Sequence, residues 1–243
     1  MWLRNGDFSA LVSPQGGSVL LWQYKGRRLL GPARMVEIDG ELKKRGETHW
    51  CYPNFGSVRE GVTPHFPQHG YLRNAILRAE RRSEAHASFV AIIPAVSPTA
   101  KRIWTEVRLQ GSALDMELRV AEGRVHGPEK IPVLPALHPY FAVPPDGIAI
   151  TSHSKGEVLL SSDFTVEPKV VPAVPLTLDL RGLGLVTMDS DAENIVLWSD
   201  NNKSYICVEP VFGQPGSYGS AKGRWVKRGS MVTCRVIFTF QPA

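Results

Sequence analysis

The sequence predicts an all-β protein, a large antiparallel sandwich built from many short strands. Three observations point there. Apolar residues recur with period two along most of the chain. Glycine and proline number 22 and 19 among 243 residues, about one residue in six against roughly one in eight in ordinary proteins. Both interrupt helices and both build turns. No window sustains a 3.6-residue period beyond about two turns.

The elements follow in order. Residues 18–24 (SVLLWQY) form a short apolar run between Gly17 and Gly26. Residues 88–94 and 102–109 alternate, and 114–120 (LDMELRV) do so cleanly: Leu114, Met116, Leu118 and Val120 on one face, Asp115, Glu117 and Arg119 on the other. Such alternation is that of a half-buried strand. Further strands are expected at 195–198, 205–208 and 231–240, the last with Val232, Cys234, Val236, Phe238 and Phe240 on one face. The segment 166–175 (VEPKVVPAVP) is read as a long extended connection that cannot be a central strand, because proline fixes φ and lacks a donor. No repeat or low-complexity linker divides the chain, so one domain over 1–243 is expected.

Composition excludes several classes. A hydrophobic fraction of 43% with mixed charge is not that of a disordered chain. The net charge is +5, but the basic residues are scattered in short clusters, so they read as solvated strand ends and loops and no nucleic-acid partner is expected. A phosphorylated or acidic small substrate is the other reading of local positive charge. No stretch is long and apolar enough to span a membrane. Three cysteines, Cys51, Cys207 and Cys234, do not make a disulfide framework, and the N-terminal residues lack a signal peptide's apolar run. Reduced thiols in a cytoplasmic setting are expected.

Three segments break the alternation with polar residues between Pro and Gly: HFPQHGYLR at 65–73, preceded by CYPNFG at 51–56; LHPYF at 137–141; and CVEP at 207–210. His65 and His69 stand four apart, as in a zinc pair, but that spacing serves a metal only on a helix, which Pro64 and Pro67 oppose. His49-x-Cys51 lacks a partner pair at finger spacing. No metal and no cofactor are expected. What remains is His69, His138 and Glu209, each read as sitting at a strand end. Such a set can take a proton from one oxygen and give one to another; a glycosidase would want two carboxylates. The plainer readings stand beside this one: His69 bridging a loop, His138 a satisfied core histidine, Glu209 a surface carboxylate paired with an arginine.

FPQHGYLR, LHPYF and CVEP in this order resemble three segments of the aldose 1-epimerase (galactose-mutarotase-like) family. PNFG resembles that family's P-x-x-G loop, and GGSVLLWQYKGRRLLGP its N-terminal strands. The resemblance implies a supersandwich of two large antiparallel sheets with a sugar cleft across one of them. It implies interconversion of the α and β anomers of an aldose, with Glu209 as the base at the anomeric hydroxyl and His138 as the acid at the ring oxygen. His69 would bind near the ring oxygen or the anomeric centre and stabilise charge there. Arg73 and Arg45 would meet sugar hydroxyls or a phosphate, and Asn54 and Asp163 would bind the sugar. Tyr140, Phe141, Phe66, Tyr71 and the tryptophans would offer apolar faces. The Arg-Gly-Gly-x-Pro segment of the sugar-phosphate branch is present here only as Arg45-Gly46-Glu47, and Ser57 stands where other branches place arginine. The readings that compete are a hexose 6-phosphate 1-epimerase, a non-catalytic carbohydrate-binding protein on the same fold, and, last, a metal hydrolase. A monomer or homodimer acting on a small sugar is expected.

Overall fold

Period-two apolar patterns become two large antiparallel sheets in the structure, a computed structural model. It describes residues 1–38, 40–62, 65–92, 100–123, 129–152, 158–160, 167–173, 175–199 and 204–243. One sheet has nine strands in the order Val158–Leu160, Ile148–Ser152, Leu176–Leu180, Gly184–Ser190, Met231–Pro242, Ala113–Glu122, Ala100–Gln110, His86–Ile92, Arg78–Arg82. The other has ten. Its path runs Trp2–Asn5, Phe8–Val12, Val19–Tyr24, Arg27–Leu30, Tyr140–Ala142, Tyr205–Val211, Ala136–His138, His49–Cys51, and a branch adds Asn194–Trp198 and Lys169–Pro172 beside Tyr205–Val211. Two hairpin-like pairs stand apart: Arg34–Ile38 with Glu41–Arg45, and Lys130–Val133 with Arg224–Lys227.

The sheets meet through the faces that the sequence marks apolar. Leu114, Met116, Leu118, Val120, Val232, Cys234, Val236, Phe238 and Phe240 of the nine-stranded sheet share one core with Trp22, Trp50, Leu137, Phe141, Ile206 and Val208 of the ten-stranded sheet. Phe141 meets Phe238 edge to face at 5.3 Å between ring centroids, a favoured aromatic geometry. On the outer face of the nine-stranded sheet Asp115 is nevertheless buried. Arg235 clamps it with two hydrogen bonds, Nε to Oδ1 at 3.0 Å and Nη2 to Oδ2 at 2.9 Å, and Arg108 adds a third at 3.2 Å. The guanidinium fork supplies what water would otherwise give the carboxylate.

Two sequence expectations are corrected. The 166–175 segment holds a strand, Lys169–Pro172, which pairs with Asn194–Trp198 alone and so sits at an edge, the place in a sheet where proline is tolerated. Glu209 does not lie at a strand end. It sits inside Tyr205–Val211, a strand buried along its whole length. Pro210 is accommodated there because the facing ladder joins Val211 to Ala136 and Cys207 to Tyr140 and skips residues 208–210. The missing donor falls in a gap that Pro139 has already opened between Ala136–His138 and Tyr140–Ala142. No helix among the described residues is long and apolar enough to cross a membrane, and the three cysteines are buried and outside any disulfide.

Candidate active site

Strand alternation decides which side chains leave the core. Leu137 and Phe141 point into it, so His138 and Tyr140 face the opposite side. Ile206 and Val208 point in, and Cys207 and Glu209 face out. Trp50 points in, and His49 faces out. Register then aligns them. Ala136 pairs with Val211 and Tyr140 with Cys207, and continuing that register sets His138 opposite Glu209. His138 pairs with His49, and Glu209 with Val196. Four adjacent strands thus carry a row Val196, Glu209, His138, His49, and all four residues line one cavity of about 680 Å³, a usual size for a small-molecule site.

Loops and the Glu41–Arg45 strand close the cavity's sides. They bring Lys43, Lys44, Arg45, Glu47, Phe55, Gly56, His69 and Arg73 around the row, with Tyr140 and Trp198 beside it. His69 is placed by an unusual backbone: its φ is +63°, a region non-glycine residues seldom occupy, and Gly70 follows at +73°. A Cβ on Gly70 would stand 2.0 Å from the Tyr52 carbonyl oxygen, so only glycine lets the turn approach that strand. The His69 backbone N–H donates to Gly56 O at 3.0 Å, and the Gly56 N–H donates to His69 Nδ1 at 3.3 Å. A ring nitrogen that accepts is unprotonated, so Nε2 carries the hydrogen and His69 is a donor.

The electrostatics are those of buried titratable groups beneath a positive rim. His138 Nε2 lies 3.3 Å from Glu209 Oε1, and both residues are buried. Burial holds the Glu209 carboxyl well above its ordinary range. Burial, and then the neighbouring His49, His69, Arg73 and Arg45, push His138 well below its own. Both shifts favour the uncharged forms. His69 is brought down to about 4, by burial first and then by Arg73 and Arg45. His49, with Nδ1 2.9 Å from the Glu47 carbonyl oxygen, is lowered to about 3, chiefly by burial. One group among the described residues could hold a metal ion: His138, Cys207 and Glu209 offer donor atoms within 4.8 Å of one another. The edges of a tetrahedral zinc shell are shorter, roughly 3.5 Å from ordinary Zn–N and Zn–S lengths.

The sequence profile described as Aldose 1-epimerase matches residues 2–176, well over half of the chain. The chain belongs to the aldose 1-epimerase family. Similar solved structures include the Slr1438 protein of Synechocystis, 19% identical over all of this chain and 96% of that one, TM-score 0.78. A galactose mutarotase-like protein of Lactobacillus casei is 15% identical, covering 99% of each chain, TM-score 0.80. A galactose mutarotase related enzyme of Lactobacillus acidophilus is 16% identical over 99% of this chain and 97% of that one, TM-score 0.79. At these identities the likeness shows the fold, the galactose mutarotase-like supersandwich that the sequence predicts. No curated protein matches the sequence.

Of the residues expected in this family's site, Glu209, His138, His69, Arg73 and Arg45 come together around the cavity. Glu209 lies beyond the profile match, so register and geometry place it. Asn54 does not reach the lining: it is buried, and its amide nitrogen donates to Gly56 O at 2.8 Å and Pro67 O at 3.2 Å, holding the loop that carries His69. Asp163 lies outside the described residues. His65 is exposed, away from His69's cavity face. Phe141 turns into the core, and Phe66 and Tyr71 pack on each other, Phe66 also on Tyr218, so of the expected apolar faces Tyr140 and Trp198 remain. The sequence weighs His49 only as a metal ligand beside Cys51, and it does not mark Lys43, Lys44 or Glu47 as site residues. For His49 the signal was its place two residues before Cys51 in a strand of outward-facing odd positions, visible only once the pairing partner was known.

Proposed function

We propose that the protein interconverts the α and β anomers of an aldose by acid–base ring opening, with Glu209 and His138 as the proton-handling pair. The observation that carries this is the direct apposition of the two groups, 3.3 Å apart on the cavity floor. The anomeric oxygen and the ring oxygen of a pyranose are bonded to the same carbon, so an acid and a base that are themselves neighbours can serve both. The Glu209 carboxylate takes the hydroxyl proton, the C1–O1 bond becomes a carbonyl as the C1–ring-oxygen bond breaks, and the ring oxygen takes the proton of His138. The C1–C2 bond then turns, and closure on the other face reverses both transfers.

Opening converts a carboxylate and an imidazolium into a neutral acid and a neutral imidazole. Burial favours that uncharged pair, so ring closure, in which Glu209 gives a proton and His138 takes one, starts from the favoured protonation state, whereas opening must first draw the pair into its charged form. His69, neutral above about pH 4 with Nε2 carrying its hydrogen, stabilises negative charge on an oxygen of the reacting centre. Trp198 and Tyr140 give apolar faces to the ring.

A second reading is favoured by the rim: Lys43, Lys44, Arg45 and Arg73 all line the cavity. Four cations at one mouth suit a hexose 6-phosphate better than a neutral sugar. Exchange NMR at anomeric equilibrium, run on glucose, galactose and glucose 6-phosphate with wild type and Glu209→Gln, tests both. Acceleration of the phosphate alone selects the second reading. Binding of sugar with no acceleration of any would refute catalysis on these sugars and leave a carbohydrate-binding protein.

A further inference from the structure

We infer that His49 and Tyr140 are positioning residues that hold the imidazole of His138 by stacking, in place of the hydrogen bond that orients most acid–base histidines. The inference rests on the acid role proposed for His138. A histidine that works through one ring nitrogen is ordinarily fixed through the other, bonded to a carbonyl or carboxylate. His138 turns Nε2 to Glu209, and its Nδ1 is buried without a hydrogen-bond partner among the described residues. The torsion joining an imidazole to its Cβ has broad wells. Left to that torsion alone, Nε2 would swing away from the carboxyl and from the substrate's ring oxygen.

Neighbouring rings supply the constraint. His49 lies 5.1 Å from His138 between centroids, with the planes 17° apart. Tyr140 lies at 4.8 Å and 19°. His69 and Trp198 meet the ring edge-on, at 5.1 Å and 88° and at 6.1 Å and 78°. Turning the His138 ring out of this plane would drive it into the two parallel neighbours. The clamp has its own anchors. His49 is the register partner of His138; its Nδ1–H donates to Glu47 O at 2.9 Å, and Lys44 Nζ meets Glu47 Oε2 at 2.5 Å. His49 lines the cavity, but its Nε2 is buried and unpartnered among the described residues, so the role assigned to it is on the His138 ring and not on substrate. What His49 contributes is a flat ring, and phenylalanine supplies the same shape.

The test compares His49→Leu, His49→Ala and His49→Phe in the full-length protein. Leu keeps most of the volume should Ala fail to fold. For the two variants without a ring, kcat is expected to fall about 10- to 100-fold with KM within about threefold, the scale of a misplaced catalytic group. His49→Phe restores kcat to within about threefold of wild type. Nitrogen-15 NMR of the His138 ring reads the same point without any turnover: one tautomer and a sharp resonance in wild type and His49→Phe, exchange-broadened or mixed signals in His49→Leu. A His138 resonance unchanged in His49→Leu overturns the inference, as does a folded His49→Phe no better than His49→Leu. Absence of anomer exchange in wild type would defeat the acid–base reading, and the NMR comparison would still decide whether the ring is clamped.

Discussion

Glu209 and His138 face each other at 3.3 Å across a break in a β-ladder, the first on an uninterrupted strand, the second beside the proline that makes the break. The break keeps Pro139 and Pro210 from costing ladder bonds, and it leaves two titratable side chains opposed on a face turned away from the core.

Removing either partner has a defined consequence. Glu209→Gln and His138→Gln are each expected to lower kcat for anomer exchange by about 10²- to 10⁴-fold, the usual contribution of a general acid or base. KM stays within a few-fold, because the rim and the aromatic faces are untouched. Line-shape or magnetisation-transfer NMR on the anomeric protons measures both. A tenfold rise in KM with unchanged kcat would assign the pair to binding.

Arg73 separates the two substrate readings. It sits in the short helical turn Leu72–Asn74, which begins two residues after Gly70, and its charge is felt by His49, His69 and His138. If the substrate carries phosphate, Arg73→Ala raises KM for hexose 6-phosphate about tenfold or more and leaves a neutral aldose nearly unaffected, since only the phosphate needs the charge. Equal effects on both substrates would place Arg73 on the sugar hydroxyls. Initial-rate kinetics with the two substrates side by side gives the answer.

Gly70 is expected to tolerate no side chain. Its φ of +73°, and the 2.0 Å at which an added Cβ would meet Tyr52 O, predict a loss of about 1–3 kcal/mol for Gly70→Ala. The loss comes with a lowered kcat, because His69 is carried by the same turn. Urea denaturation and anomer exchange check the two effects. Stability equal to wild type would show that the turn relaxes freely.

Glu122 predicts a pH-dependent stability that is separate from the site. It is buried, takes a hydrogen bond from the Tyr52 hydroxyl on Oε1, and has no partner on Oε2 among the described residues. Burial raises its pKa from 4.5 to about 7. Between these values the folded chain holds a proton that the unfolded chain releases. Its contribution is therefore complete below about pH 4.5 and is lost as pH rises to about 7, on the order of 3 kcal/mol. The buried histidines act in the opposite sense, losing stability as pH falls below 6.5, so the comparison must be with Glu122→Gln. The wild type should lose stability relative to that variant between about pH 4.5 and 7 in urea melts. Parallel curves would contradict the assignment.

Much of this architecture was legible in the chain. The alternation at 114–120 and 231–240 reappears as paired strands whose apolar faces form the core, because a period of two leaves a strand only one way to bury its hydrophobic face. The three polar, proline-framed segments converge on one cavity. Glu209 reads as a strand end because a proline after a polar residue is locally a stop, and only the neighbouring strand's own interruption reveals that it is not. Asn54 reads as a sugar ligand through the likeness of PNFG to the family's P-x-x-G loop, yet its amide is engaged by two carbonyls, of Gly56 and Pro67.

By itself the sequence determined the all-β class, the strand faces, and the kind of chemistry that a glutamate and two histidines can perform. Those are local properties, set by the pleat and by turn residues. The tertiary structure decided that His138 stands opposite Glu209, that His49 stands on the other side of His138, and that four basic side chains ring the same cavity. Pairing between strands far apart in the chain fixes these contacts, and the register that aligns Glu209, His138 and His49 is written in no one of their strands alone.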